Sequence, residues 1–375
     1  MKVKKYQICT RCIMDTSDPD IIFDENGVCN HCYKYKQLIN SKQYLMKKQP
    51  GALEQIVKKM KKSGRGKKYD CIIGVSGGID STYTAYKVKE FGLRPLAIHL
   101  DNGWNSELAV YNIKKTLKKL NIDLCTYIVD WEEFKDLQLS FLKASTPDSE
   151  IPTDHALLAV HYKAAIDNDI KYIISGHNTA TESGGSAAWS QGHGDWLYVK
   201  NIQKKFGTKK LKTFFHYGPW RFFYYTLIKK LKWITILDYL EDYNKKEVMK
   251  TLQKQLDWQD YGGKHYESIY TRFFQGHILP KKFGFDKRRA NLSSLIWSEQ
   301  ISRREALAEI TQKDYSPELQ QADKEYIIKK LGISPNKFEK IMKLPPKTFW
   351  GYPSYKKKFS KYKWLISIYH SLKRQ

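Results

Sequence analysis

The stretch CIIGVSGGIDSTYTAYKVKEFG (71–92) leaves this chain few folds to choose from. A short apolar run meets two glycines and passes into a helical pattern with no spacer. A buried strand that turns directly into a helix belongs to a parallel sheet. Ser76, Gly77 and Gly78 bring bare backbone N–H groups to the carboxyl end of that strand. Ser81 and Thr82 open the helix, where unpaired N–H groups and the helix dipole attract anions. No Walker-type lysine follows the glycines, so the loop suits a departing pyrophosphate better than γ-phosphate transfer. Asp80, in the first helical turn, would repel a bare phosphate and makes sense if it binds Mg2+ or the helix terminus itself.

The rest of the chain extends the sheet. YDCIIGV, RPLAIHLD, DLCTYIVD, KYIISGH and KWITILDYL read as strands. Helical patterns such as ELAVYNIKKTLKKLN, WEEFKDLQLSFLKAS and DHALLAVHYKAAIDND separate them. The alternation predicts an α/β fold, a parallel sheet with helices on both faces. Beyond about residue 257 the strand patterns fade, and SRREALAEI, ADKEYIIKKLG and SPNKFEKIMK read as helices. The expected organisation is a cysteine module over 1–35, a helical linker over 36–67, a phosphate-binding α/β domain over 68–257 and a mainly helical substrate or partner region over 258–375. The aromatic run HYGPWRFFYYTLIKKLKWITIL (216–237) lacks a clean helical stripe. It reads as packing beside the sheet rather than as an interfacial membrane helix.

The opening MKVKKYQICTRC lacks the apolar core of a signal peptide, and no apolar run reaches the roughly 18 residues that span a bilayer. No transmembrane segment and a cytoplasmic protein are therefore expected. The net charge of +26 is uneven, with basic runs at 58–68, at 204–212 and after Glu339. Such patches suit nucleic acid, anionic membranes or phosphorylated substrates.

Cys9, Cys12, Cys29 and Cys32 form C-x2-C-x16-C-x2-C. Each CxxC supplies two thiolates from one tight turn, and two turns complete a tetrahedron. Between the pairs, IIFDENGVC reads as strand, turn and strand, with Asn26-Gly27 at the reversal. A zinc ribbon is expected, its Zn2+ structural because no coordination position is open. An iron–sulfur cluster is the alternative. His31 is expected at the surface, with replacement of one thiolate as its other reading.

On the SGGIDST loop, residues 68–260 resemble the PP-loop superfamily, the N-type ATP pyrophosphatases, which cleave ATP between the α and β phosphates. AIHLDNGWNS and IISGHNTATES support the resemblance. It implies that Ser76, Gly77, Gly78, Asp80, Ser81, Thr82, Asp101, Asn102 and Gly176 border ATP. Asp80 and Glu182 are then the expected Mg2+ ligands, and His177 is a candidate for moving protons.

The segment WQDYGGKHYESIYTRFFQGHILPKKFGFDKRRANLSSLI (258–296) resembles the N-acetyl sugar amidotransferase family of bacterial surface-polysaccharide (LPS) biosynthesis. Lys264, His265, Arg272, Lys287, Arg288 and Arg289 gather cations there around Glu267, a set suited to a carboxylate or a diphosphate. Lys264, Glu267, Arg272, Lys287 and Arg288 are the expected substrate contacts, and His265 a second proton carrier. The resemblance implies conversion of an acetamido group on a nucleotide-linked sugar acid into an acetamidino group. Amide oxygen is a poor leaving group, so attack on the α phosphorus of ATP would first make an O-adenylyl intermediate, which ammonia then displaces. Cys71 and Cys125 fall in apolar runs expected to be buried, so no thiol is placed for glutamine hydrolysis. A separate glutaminase subunit is therefore expected. The alternative reading is a tRNA-modifying PP-loop enzyme of the 2-thiolase kind. It is disfavoured because no cysteine follows Cys125, and nucleic acid is not the expected partner.

Overall fold

The computed structural model describes residues 5–360 except 242, 264, 313 and 314. Among the described residues there are five strands: β1 (Cys71–Gly74), β2 (Pro95–Asp101), β3 (Asp123–Ile128), β4 (Tyr172–Ser175) and β5 (Lys232–Thr235). They form one sheet in the order β3-β2-β1-β4-β5. Every pairing is parallel, for example Ile73 opposite Ala97 and Ile72 opposite Ile173. The fold class is the expected one.

The period-2 alternation of the strands sorts side chains to two buried faces. Cys71, Ile73, Ala97 and Ile174 pack on one side with Met60, Ala85, Val88, Ile113 and Leu117. Those partners come from the helices Ala52–Ser63, Ile79–Glu90 and Glu107–Leu120. Ile72, Ile98 and Ile173 face the other way, onto Phe134, Leu137, Phe141, Val160 and Ala164 of the helices Trp131–Ala144 and Ile151–Asp167. The C-terminal region is helical, with Arg288–Trp297, Arg303–Thr311, Pro317–Leu331 and Pro335–Met342 its main elements.

Several expectations change. β3 is an edge strand with alternating exposure, so Cys125 is only half-buried, whereas Cys71 on central β1 is fully buried. The reversal at Asn26-Gly27 occurs, with Gly27 at φ 75°, but its flanks are single bridges, Ile8 to Asp15 and Phe23 to Cys29, instead of continuous strands. The four cysteines belong to the same buried cluster as Ile72 and Phe141, so the module has no separate core. In the aromatic run, Tyr217 and Phe222 pack as expected, but Trp220 and Ile228 stay 86% and 69% exposed. Among the described residues no helix is long and apolar enough to cross a membrane.

Candidate active site

The sheet order reverses between β1 and β4, and ligands of open α/β sheets bind in the crevice at the carboxyl ends of such strands. Two motifs flank this crevice: the loop after β1 and the segment after β4. The loop is pre-shaped by its own hydroxyls. Ser76 Oγ lies 3.1 Å from Ser81 Oγ and accepts from Gly78 N at 3.3 Å, while Ser81 Oγ donates to Gly78 O at 3.1 Å. The helix Ile79–Glu90 starts at Gly78 with no side-chain cap, which leaves its first N–H groups for a ligand. Thr82 is buried and points into the helix's packed side. Gly176 explains the fit of the two motifs, because a Cβ there would come within 3.0 Å of Ser81 N.

The acids lie on opposite sides of the crevice. Asp80 Oδ1 accepts a hydrogen bond from Tyr243. Glu182 Oε2 pairs with His177 Nδ1 at 2.6 Å. Burial first, then the charges of Asp80 and Glu182, push the Tyr243 hydroxyl far above its ordinary range, so both carboxylates act on one point. Asn178 caps the short helix Thr179–Glu182 through Thr181 N, and buried Asp238 binds Thr179 N at 2.7 Å and Lys47 Nζ at 2.9 Å.

The other expected site residues divide. Asp101 folds back on its own turn, accepting from Gly103 N at 2.9 Å. Asn102 is buried and bridges Trp104 N and Thr153 Oγ1. Glu267 reaches the loop, since a side chain at Gly78 would come within 3.3 Å of Glu267 Oε1. His265 Nδ1 is 3.6 Å from that same oxygen. The expected cation cluster does not form as one group. Arg272 makes a bidentate pair with Asp323 at 2.7 Å and stacks on Tyr266. Arg288 is tied to Asp286 and to the carbonyls of Ile310 and Gln312. Arg289 pairs with Asp15 and holds Ile13 O. Guanidinium groups this fully satisfied clamp the fold instead of awaiting a ligand. Lys287 alone of the described set keeps an ammonium with neither hydrogen bond nor ion pair to another described residue, in the field of Glu150, Asp148, Asp154 and Glu182. Lys264 lies outside the described residues.

Sequence reading missed Tyr243, Trp258 and Tyr261. Trp258 Nε1 and Tyr261 OH both donate to the Gly77 carbonyl, at 2.8 and 3.0 Å. They pin the Gly77 carbonyl and with it the position of the loop. Trp258 and Tyr261 lie in WQDYGG, whose aromatics beside glycines were the one available signal; nothing in the sequence marks Tyr243.

The four cysteines form one group with the donor set of a metal or iron–sulfur site. Its sulfurs all lie within 4.8 Å of one another and are buried. The shortest separations are 3.6 Å for Cys12–Cys29 and 3.8 Å for Cys9–Cys32 and Cys29–Cys32. Bonds of about 2.3 Å to a central Zn2+ give a tetrahedral edge of about 3.8 Å. A four-iron cluster, with one thiolate per iron, holds its sulfurs much farther apart, so the spacing fits a single ion. His31 is buried, not at the surface: Asp18 Oδ2 meets its Nε2 at 2.6 Å, and Ser186 binds the other Asp18 oxygen at 2.6 Å. That pairing, and the absence of His31 from the ligand group, removes the thiolate-replacement reading. Trp297 Nε1 donates to Cys32 Sγ at 3.2 Å, and Arg303 holds the carbonyls of Cys9 and Cys12.

Residues 267–366 match the family model described as LPS biosynthesis protein WbpG-like, C-terminal domain. The resemblance read from residues 258–296 therefore holds for this region. The chain is 28% identical over 175 residues to an uncharacterized protein of Methanocaldococcus jannaschii, covering 45% of this chain and 58% of that protein. It is 25% identical over 174 residues to the tRNA-specific 2-thiouridylase MnmA of Mesomycoplasma hyopneumoniae, covering 39% of this chain and 46% of that enzyme. The chain thus spans about half the length of these curated relatives. Among solved structures, the U34-tRNA thiolase NcsA from Methanococcus maripaludis, with its 4Fe–4S cluster, aligns at 13% identity and a TM-score of 0.34 over 86% of this chain and 88% of that one.

Proposed function

We propose that this chain is an ATP-dependent amidotransferase that turns the acetamido group of a nucleotide-linked sugar into an acetamidino group for surface-polysaccharide synthesis. The observation that carries the reading is the seam between the phosphate loop and the WbpG-like region. Glu267, its first residue, lies against Gly78 and accepts Ser106 N on its carbonyl at 2.9 Å. Ile269 N bonds Trp104 O at 2.9 Å, which ties the same region to the end of β2. A nucleotide held by its phosphates and a sugar held by the C-terminal region would therefore meet in one crevice.

The proposed chemistry follows from the groups present. The amide oxygen attacks the α phosphorus of ATP, and pyrophosphate leaves toward the N–H groups of Ser76–Thr82. Asp80 and Glu182 suit Mg2+, which binds through one or two carboxylates plus substrate phosphates. Bound there, the ion would supply charge stabilisation to the leaving pyrophosphate. Ammonia then displaces AMP at the imidate carbon. Zn2+ is the proposed occupant of the cysteine cluster, in a structural role. The ammonia comes from a separate glutaminase: burial raises the Cys71 thiol far above its ordinary range, Cys125 sits on the edge strand, and the other four cysteines line the metal site.

A second reading, tRNA 2-thiolation, is favoured by the net charge of +26 and the likeness to the 2-thiouridylase. One assay separates the two. Incubated with ATP, Mg2+, ammonium and a panel of UDP-linked N-acetyl sugars, the chain is expected to form AMP and pyrophosphate in equal amounts, and only when a sugar is present. ADP and phosphate as products would overturn the PP-loop chemistry. AMP formation that needs tRNA and a sulfur donor instead of sugar would favour the second reading.

A further inference from the structure

A second polar cluster lies beyond Glu182, on the same side of the sheet. His193 Nε2 stands 3.2 Å from Asp148 Oδ2, 3.4 Å from Asp154 Oδ2 and 2.9 Å from Ser190 Oγ. Two segments bring these groups together. Asp148 precedes the helix Ile151–Asp167, Asp154 lies in its first turn, and Ser190 and His193 belong to the loop after Thr179–Glu182. Asp148 is buried and fixed, accepting from Ser190 Oγ and from Glu150 N. Buried His155 holds the loop by donating from Nδ1 to the His193 carbonyl at 2.8 Å.

The accessible face of this cluster is narrow. Asp148 leaves 8% of its side chain exposed, against 36% for His193 and 45% for Asp154. An imidazole held by a buried carboxylate at Nε2 carries its basic lone pair on Nδ1, the arrangement of a carboxylate-oriented general base. Among the described residues no hydrogen bond reaches His193 Nδ1. The Lys287 ammonium lies in the field of Glu150, Asp148 and Asp154 as well as that of Glu182.

Resting on the amidotransferase reading, we infer that His193, oriented by Asp148 and faced by Asp154, takes the proton that the nitrogen donor must lose, so that this cleft is the donor's subsite and accepts ammonium as well as ammonia. The carboxylates Asp148, Glu150 and Asp154 draw a small cation to the cleft. Ammonium gives one proton to His193 Nδ1 and becomes ammonia. Its nitrogen bonds to the carbon of the O-adenylyl imidate, and one of its protons passes to the imidate nitrogen. The carbon–oxygen bond breaks, AMP leaves with that electron pair, and the product is the amidinium.

The groups facing His193 set its working range. Burial lowers its proton affinity, but Asp148 and Asp154 outweigh that and the opposing charge of Lys287, so its pKa stands above the ordinary value. Burial lowers His155 to about 4, which keeps it neutral in that range.

The test is the pH dependence of the KM for total ammonium. The full chain is assayed with ATP, Mg2+ and ammonium chloride, using as acceptor UDP-N-acetylglucosamine or its 6-carboxylate derivative, whichever supports AMP formation. An enzyme that takes ammonia from solution shows a KM for total ammonium that falls about tenfold per pH unit below ammonia's pKa. The wild-type chain is expected to show a nearly flat KM from just above neutrality, and His193→Gln to restore the tenfold slope and to recover rate at alkaline pH. Identical slopes in both proteins would overturn the inference. If His193→Gln is inactive at every pH, Asp154→Asn decides: a restored slope supports the inference, and the wild-type profile overturns it. Absence of any AMP or amidine from the wild-type chain would instead count against the amidotransferase reading itself.

Discussion

Cys29→Ser is expected to release the metal and to destabilise the whole chain, not only its first 35 residues. The three shortest sulfur separations, 3.6–3.8 Å, suit the proposed Zn2+, and a serine oxygen is a poor substitute for a thiolate on that ion. Metal binding at such sites is coupled to folding, with apparent free energies on the order of 10 kcal/mol. That is comparable with the roughly 5–15 kcal/mol that holds a typical domain folded. The loss reaches the α/β core because Trp297 donates to Cys32 and stacks on Tyr35, Ile13 N bonds Ser293, and the cysteines join the main buried cluster. The His31–Asp18–Ser186 chain carries the coupling to within a few residues of Glu182. Elemental analysis should find one metal ion per wild-type chain and a large deficit in the variant, with a single melting transition lowered by ten degrees or more, on the order expected for several kcal/mol. Retained metal, or an unchanged melting temperature, would contradict this picture.

Gly77→Ala is expected to lower pyrophosphate-releasing turnover by about a thousandfold, equivalent to about 4 kcal/mol. Sequence reasoning assigned this glycine to close approach of the phosphate. The structure adds a stricter reason. Gly77 has φ 83°, a region that costs a residue with a Cβ about 1–2 kcal/mol. The new carbon would also stand 2.8 Å from the Ala109 carbonyl and 2.7 Å from Tyr261 OH. Tyr261 can move, but the backbone oxygen cannot do so cheaply, so the loop must shift and lose its grip on Trp258 and Tyr261. Steady-state kinetics with direct detection of pyrophosphate measures the loss, and circular dichroism checks that the fold persists. Turnover within tenfold of wild type would show that the loop's position is not what the chemistry depends on.

What sequence could reveal here follows from which interactions are local. The five strands and the loop were legible because apolar runs, glycines and helix starts are encoded within a few residues of one another. The C-x2-C pairs were legible for the same reason. What stayed hidden depends on distant pairings. Arg272, Arg288 and Arg289 look like a ligand cluster in the string, yet each is consumed by a carboxylate or carbonyl that only the tertiary fold supplies. His31 reads as a surface residue until Asp18 closes over it. Cys125 reads as buried because its run is apolar, but sheet order puts it on an edge. Asp148, Asp154 and His193 have no motif in common and meet only because the loop after β4 folds back across the start of the next-door helix.

The central claim is that an amide oxygen attacks the α phosphorus of ATP in this crevice, and a heavy-oxygen label in the acetamido group tests it directly. The labelled sugar nucleotide, ATP, Mg2+ and ammonium are incubated with the chain, and AMP and sugar are analysed by mass spectrometry. The account predicts that the label appears in the phosphate of AMP, one atom for each molecule of amidine formed, and is absent from pyrophosphate. Label that remains in the sugar while AMP accumulates, or amidine formed without labelled AMP, would contradict it.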